Sequence, residues 1–82
     1  MARVLTVAQS VRDLAGGRDR FKLDAPTLGA LVDALDRAHP GLGDHVRQSM
    51  AVAIDGELHH DAWDAALRAD TEVVLIPLIA GG

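Results

Sequence analysis

Hydrophobic residues gather toward both ends of the chain. Val4, Leu5 and Val7 form an almost continuously apolar run within Arg3 to Ala8, and Val73-Val74-Leu75-Ile76 forms another. Runs of this kind, rich in β-formers, predict strands covered on both faces or flanked by a neighbour on each side. Between them, Arg20-Phe21-Lys22-Leu23-Asp24 alternates with period two, so Phe21 and Leu23 point one way and the charges the other, as in a half-exposed strand. Met50-Ala51-Val52-Ala53-Ile54 alternates large and small apolar residues and runs into Asp55-Gly56. That dipeptide predicts a tight hairpin with a returning strand at Glu57 to His59.

A helical period appears once with clarity. Leu28, Leu31, Val32, Leu35 and Ala38 share one face, with Asp33, Asp36 and Arg37 opposite, Thr27 placed to cap the first turn and Pro40-Gly41 to end the helix. Gly29 should cost that helix about 1 kcal/mol relative to Ala, so packing of the leucine stripe has to hold it. A short second helix is expected from Leu42 to Ser49, a loop broken by Gly16-Gly17 from Gln9 to Arg18, and a single turn capped by Asp61 and reaching Leu67. The first and last strands then pair as parallel neighbours in the middle of a mixed sheet of four to five strands, with one main helix crossing one face. This ordering is α+β, the β-grasp (ubiquitin-like) arrangement.

Eighty-two residues suit one domain, 1–82, and 49% apolar with 24% charged residues is the profile of a folded soluble globule. The longest apolar stretch is far below the roughly 20 residues that span a bilayer, and the N-terminal run is too brief for a signal peptide; cytoplasmic residence without membrane association is expected. A formal charge of −4, no dense basic stretch and only Phe21 and Trp63 as aromatics argue against nucleic acid. With no cysteine there is no disulfide, thiolate metal site or cysteine nucleophile.

The sequence closes on Pro77-Leu78-Ile79-Ala80-Gly81-Gly82. A terminal Gly-Gly arises by chance in about one chain in 200 at a glycine frequency of about 7%; a frayed end or an expression scar is the alternative reading. Pro77 lacks a backbone donor, so sheet pairing is expected to stop there and free a flexible tail, 77–82. Four residues beyond the strand reach at most about 14 Å, and glycines without Cβ can thread a narrow channel. A reactive chain end follows.

Four stretches carry a family resemblance. They are Val4 to Gln9 with Val11-Arg12-Asp13-Leu14-Ala15-Gly16; Pro26-Thr27-Leu28 with Leu31; Ala51-Val52-Ala53-Ile54-Asp55-Gly56-Glu57; and Asp70-Thr71-Glu72-Val73 through Ile79-Ala80-Gly81-Gly82. With these the chain resembles the ubiquitin-like sulfur carriers of the MoaD/ThiS group, and most closely the small subunit of molybdopterin synthase. The resemblance implies that the Gly82 carboxylate, with Gly81 before it, is activated by an ATP-using, E1-like adenylyltransferase (MoeB/ThiF-like) and converted to a thiocarboxylate. It further implies insertion of the tail into a MoaE-like large synthase subunit or another sulfur-accepting enzyme. Arg12, Ile76, Leu78, Ile79 and Ala80 are then the partner-binding positions. No cofactor is expected on the chain itself, since ATP serves the partner, and neither a phosphate loop nor a catalytic constellation is present in the sequence. Leu78 in place of a second proline, Asp55 in place of Asn and Asp70-Thr71 in place of Gly-Asp depart from the family pattern and bear on the choice of partner. A thiamine, cysteine, tRNA or secondary-metabolite pathway, a covalent protein modifier, or a non-reactive β-grasp interaction module remain the other readings.

The remaining polar residues suggest less. His59-His60-Asp61 reads as a solvated turn rather than a metal site, because adjacent strand residues point apart and no third ligand is evident. His39 and His45 read as helix-end and surface residues. Arg12 is either a partner contact or a loop anchor paired with Asp13, and Trp63 is expected to cover the core. The sheet face away from the helix is expected to dock partners through Thr6, Ala8, Val74, Ile76 and Leu78, if the opposite parity packs on the helix.

Overall fold

The computed structural model describes residues 1–59 and 61–78. Five strands, β1 (Ala2–Thr6), β2 (Arg20–Leu23), β3 (Met50–Ile54), β4 (Glu57–His59) and β5 (Glu72–Pro77), form one sheet in the order β2-β1-β5-β3-β4. β1 and β5 run parallel at its centre, with Val4 opposite Val73 and Thr6 opposite Leu75; the other pairings are antiparallel. Three helices, α1 (Gln9–Leu14), α2 (Leu28–Ala38) and α3 (Leu42–Ser49), send Val11, Leu28, Leu31, Val32, Leu35, Leu42 and Val46 into a core completed by Ala2, Val4, Met50, Val52, Val73 and Leu75. The expected mixed sheet of the β-grasp is therefore present. Ala38, expected on the apolar stripe, is exposed at the helix end.

Thr27 caps α2 by accepting a hydrogen bond from the Ala30 amide at 3.2 Å. α2 is joined to α3 by a carboxylate: Asp36 Oδ1 accepts from the amides of Gly41 and Gly43 at 3.1 and 3.0 Å, tying up donors at the start of α3. Gly41 sits at φ +95°, a left-handed conformation that favours glycine.

Three local expectations are corrected. The segment after β1 is not a loop throughout, because residues 9–14 form α1; Ala8, Val11 and Ala15 follow the helical spacing and all three are buried. Gly16 and Gly17, at φ +66° and +93°, end this helix rather than prevent it, and the Gly17 amide donates to the Arg12 carbonyl at 2.7 Å.

The stretch from Asp61 to Leu67 forms no capped helical turn. Asp61 itself takes φ +53°, and the following backbone instead serves the start of α2. The carbonyls of Ala65 and Trp63 accept from the amides of Leu28 and Gly29 at 3.0 and 2.7 Å, and Leu67 donates to Pro26 at 3.0 Å. Two of the orphan donors of the helix start are thereby satisfied by a neighbouring segment. Trp63 covers the core as expected, half-buried beside it, with the Arg47 guanidinium 4.9 Å from its ring centroid.

Pairing also continues past the point where Pro77 was expected to release the chain. Pro77 lies opposite Met50, and the Leu78 amide donates to the Ser49 carbonyl at 3.0 Å. Alternation along a strand turns the nitrogen of Pro77 away from β3, toward the side where β1 has already ended at Thr6. The missing donor costs no ladder bond there.

Candidate functional site

The sheet has one face under the helices and one left open, and the register decides which residues occupy each. Thr6 is opposite Leu75, so Thr6 faces the helices with Ala2 and Val4; it is buried, as is Ala8. The even-numbered docking set expected from the sequence thus divides. Thr6 and Ala8 are withdrawn into the core side, whereas Val74, Ile76 and Leu78 remain accessible. In β1 the open face belongs to Arg3 and Leu5, with Val7 just beyond, because paired residues of parallel strands share a face.

Cross-strand partners order the open face into rows. Arg20, Leu5, Val74, Ala53 and Leu58 are successive neighbours across all five strands. On one side of this row stand Lys22, Arg3 and Glu72, and on the other Ile76 and Ala51. Leu58 and Ile76 are 58% and 37% exposed, while Ala51 and Ala53 between them are buried. The small alanines lie beneath the larger side chains that flank them.

The same end of the sheet gathers the other expected site residues. β1 and β5 run parallel, so α1, which follows β1, stands at the end where β5 leads into the closing residues. Arg12 lies there, its Nη2 donating to the Val7 carbonyl at 3.3 Å while its Nε is enclosed with no hydrogen-bond partner among the described residues. Asp13 does not pair with it; Gln9 Nε2 donates to Asp13 Oδ1 at 2.9 Å. Leu78 is 47% exposed and lines a small cavity of about 60 Å³ with His59, Trp63 and Arg47. Ile79, Ala80, Gly81 and Gly82 lie outside the described residues, as does His60. His39 packs edge-on against Phe21 at 5.8 Å, and His45 Nε2 is 2.9 Å from Ser10 Oγ, joining α3 to α1.

Leu5, Val7, Leu58 and the cation Arg3 were not expected on the open face, whereas Arg20 and Lys22 were read as the exposed side of their strand. A signal for them existed. Aligning the two apolar runs by their β-branched positions pairs Val4 with Val73, which puts Leu5 beside Val74.

A mixed five-stranded sheet with a parallel central pair, a helix layer on one face and a strand running directly toward a Gly-Gly ending defines the ubiquitin-like β-grasp class. The chain belongs to the ThiS family, whose model matches residues 5–82, and so to the ubiquitin-like sulfur carriers and modifiers. Among solved structures it is similar to a chain of the BexX/CysO complex of Amycolatopsis orientalis, at 17% identity, full coverage of both chains and a TM-score of 0.84. It is also similar to small archaeal modifier protein 1 of Haloferax volcanii, at 30% identity over 99% of this chain and 98% of that one, TM-score 0.72. A Pyrococcus furiosus protein described as subunit 1 of a molybdopterin converting factor matches at 18% identity over 95% and 97%, TM-score 0.66. The likenesses below 25% identity speak for the fold. Comparison with the curated proteins finds no match. Among the described residues, no helix is long and apolar enough to cross a membrane.

Proposed function

We propose that this chain is a sulfur carrier whose Gly82 carboxylate is adenylated by an E1-like enzyme and converted to a thiocarboxylate. The observation that carries the reading is the family-model match through residue 82, over a sequence in which Leu78-Ile79-Ala80-Gly81-Gly82 follows central strand β5. A carboxylate is a poor electrophile. Attack of its oxygen on the α-phosphorus of ATP releases pyrophosphate, and the resulting acyl-adenylate accepts sulfide sulfur with loss of AMP. The carrier supplies the acyl group, and the partner supplies nucleotide binding and catalysis. Arg12, Ile76 and Leu78 lie at the tail end of the sheet, and in this reading they meet that partner, with Ile79 and Ala80 following into its channel.

Molybdopterin synthesis is the pathway favoured by the sequence resemblance, with this chain as the small synthase subunit beside a MoaE-like protein. A second reading, covalent modification of protein amines, draws support from the 30% identity to a small archaeal modifier protein. The experiment is intact mass spectrometry of the chain expressed with its cognate activating enzyme and a sulfur source. A gain of about 16 Da, sulfur for oxygen, is expected; its absence under every charging condition would remove the reading. Conjugates that survive denaturation and are heavier by one carrier would support the modifier, and co-purification with a MoaE-like protein would support the molybdopterin pathway.

A further inference from the structure

An activated carboxyl is consumed by whichever nucleophile meets it, and an unprotonated amine gives an amide that is not readily reopened. Lys22 is the single lysine beside seven arginines, and with the Met1 α-amine it completes the amines of these 82 residues. Arginine is no substitute, because its guanidinium stays protonated at any ordinary pH. The sheet places both amines at one end. Lys22 lies opposite Arg3, and Arg3 opposite Glu72, the first residue of β5, while Met1 precedes Ala2 a step further out. β5 runs away from this row, and the closing residues follow its far end in the sequence. The cations gathered at that far end are arginines: Arg12, bonded to the Val7 carbonyl; Arg18, beside the Asp19 whose carbonyl accepts the Thr6 amide at 3.1 Å; and Arg47, which shares a cavity with Leu78.

Ladder spacings turn this placement into a distance. A rise of about 3.3 Å per residue from Glu72 to Leu78, with two strand intervals of about 4.8 Å, puts the Cα atoms of Lys22 and Leu78 about 22 Å apart. Four fully extended residues and a lysine stem together reach about 20 Å. Reversal widens the shortfall, since β5 points away from Lys22 and a β-turn alone takes four residues, which leaves nothing beyond Leu78 to run back along the sheet. Leu78 is itself held by its amide to the Ser49 carbonyl. We propose that the fold withholds the chain's own amines from its activated carboxyl, so that acyl transfer from Gly82 goes only to a nucleophile outside the molecule. The inference rests on the sulfur-carrier reading, in which an acyl-adenylate must survive until sulfur arrives. The reaction excluded is attack of the Lys22 or Met1 nitrogen on the Gly82 carbonyl carbon. A C–N bond would form, the C–O bond to AMP would break, the amine proton would pass to solvent, and the ring-closed product would accept no sulfur.

The test uses the full chain carrying a 2-mercaptoethanesulfonate thioester at Gly82, installed through intein cleavage and held in mildly alkaline buffer. Intact mass separates the free acid left by hydrolysis from the ring-closed amide, lighter by about 18 Da, one water. Two variants carry one added lysine each. R3K places it in the row of Lys22; V7K places it just past the end of β1, level with Ile76, at a position 79% exposed. V7K is expected to close into the amide at least about tenfold faster than wild type or R3K, through its higher effective concentration at the chain end, with hydrolysis alike in all three. Ring closure in V7K no faster than in R3K, or in folded wild type at the V7K rate, overturns the proposal. An amide of twice the chain mass that rises with protein concentration is transfer between copies and agrees with it. Folding is confirmed by circular dichroism; if V7K does not fold, Q9K, exposed on α1 at the same end, decides by the same comparison. The thioester needs no activating enzyme, so a chain that is never charged removes the sulfur-carrier reading, whereas ring closure indifferent to lysine position removes this inference alone.

Discussion

The Thr6 hydroxyl donates to the Leu75 carbonyl at 3.1 Å, across a separation of 69 residues, and accepts the Ala8 amide at 3.0 Å. One buried side chain therefore closes β1, starts the turn into α1 and ties both to the strand that leads to the closing glycines. Thr6→Val keeps the shape, loses both bonds and strands the Ala8 amide. A loss of about 1–3 kcal/mol is expected in urea unfolding, with Thr6→Ser losing less.

Gly43 is held against Asp36. A Cβ at residue 43 would lie 2.7 Å from the Asp36 Cβ, beside the carboxylate that accepts from Gly41 and Gly43. Gly43→Ala, ordinarily worth up to about 1 kcal/mol of gain within a helix, is expected to lower the thermal midpoint instead. Asp36→Ala removes the bridging acceptor and should cost about 1 kcal/mol. A midpoint raised by Gly43→Ala would refute the close contact.

Gly29 faces a similar approach, with a hypothetical Cβ 3.0 Å from the Trp63 carbonyl that its own amide binds at 2.7 Å. Gly29→Val should be destabilising beyond the propensity change and should alter the fluorescence of Trp63, the chain's single tryptophan. A variant with unchanged emission and stability would show that residues 61–67 do not bear on α2.

Extending the chain beyond Gly82, or deleting Gly82, is expected to abolish formation of the thiocarboxylate while leaving the unfolding free energy within about 0.5 kcal/mol of wild type. The core and ladder of the described residues reach only as far as Leu78. Intact mass and denaturant unfolding together check both halves of the expectation.

Leu75→Ala, at a fully buried position in the central strand, should by contrast cost about 2–5 kcal/mol in denaturant unfolding. The two changes are thus expected to separate thiocarboxylate formation from stability within a short stretch of chain.

Much of this architecture was legible because the signals were periodic. The 3–4 spacing of Leu28 to Leu35, the Asp55-Gly56 turn and the two apolar end runs each translate directly into an element. What was hidden depended on partners distant in sequence. α1 is only six residues long and is held through Val11 and its neighbours, so its pattern was too short to stand against the two glycines that follow. The irregular stretch after Asp61 is explained only by the amides of α2 that it serves. Parity on the open face was lost because alternation within one strand does not give its alignment to the next, and the pairing of Thr6 with Leu75 moves the surface from Thr6 to Leu5. The closing motif was legible as composition, and the chemistry proposed for it calls for a partner.

The side-by-side placement of β1 and β5 has a consequence for biosynthesis. The ladder in the middle of the sheet joins the first of the five strands made to the last, so the native sheet cannot close until residues 72–77 have emerged from the ribosome. Until residues 72–77 arrive, β1 has only β2 to pair with and its other edge stays open. A chain truncated before them lacks the middle of its scaffold as well as the proposed handle, so any partner that reads the finished sheet would meet only molecules whose synthesis had run through β5.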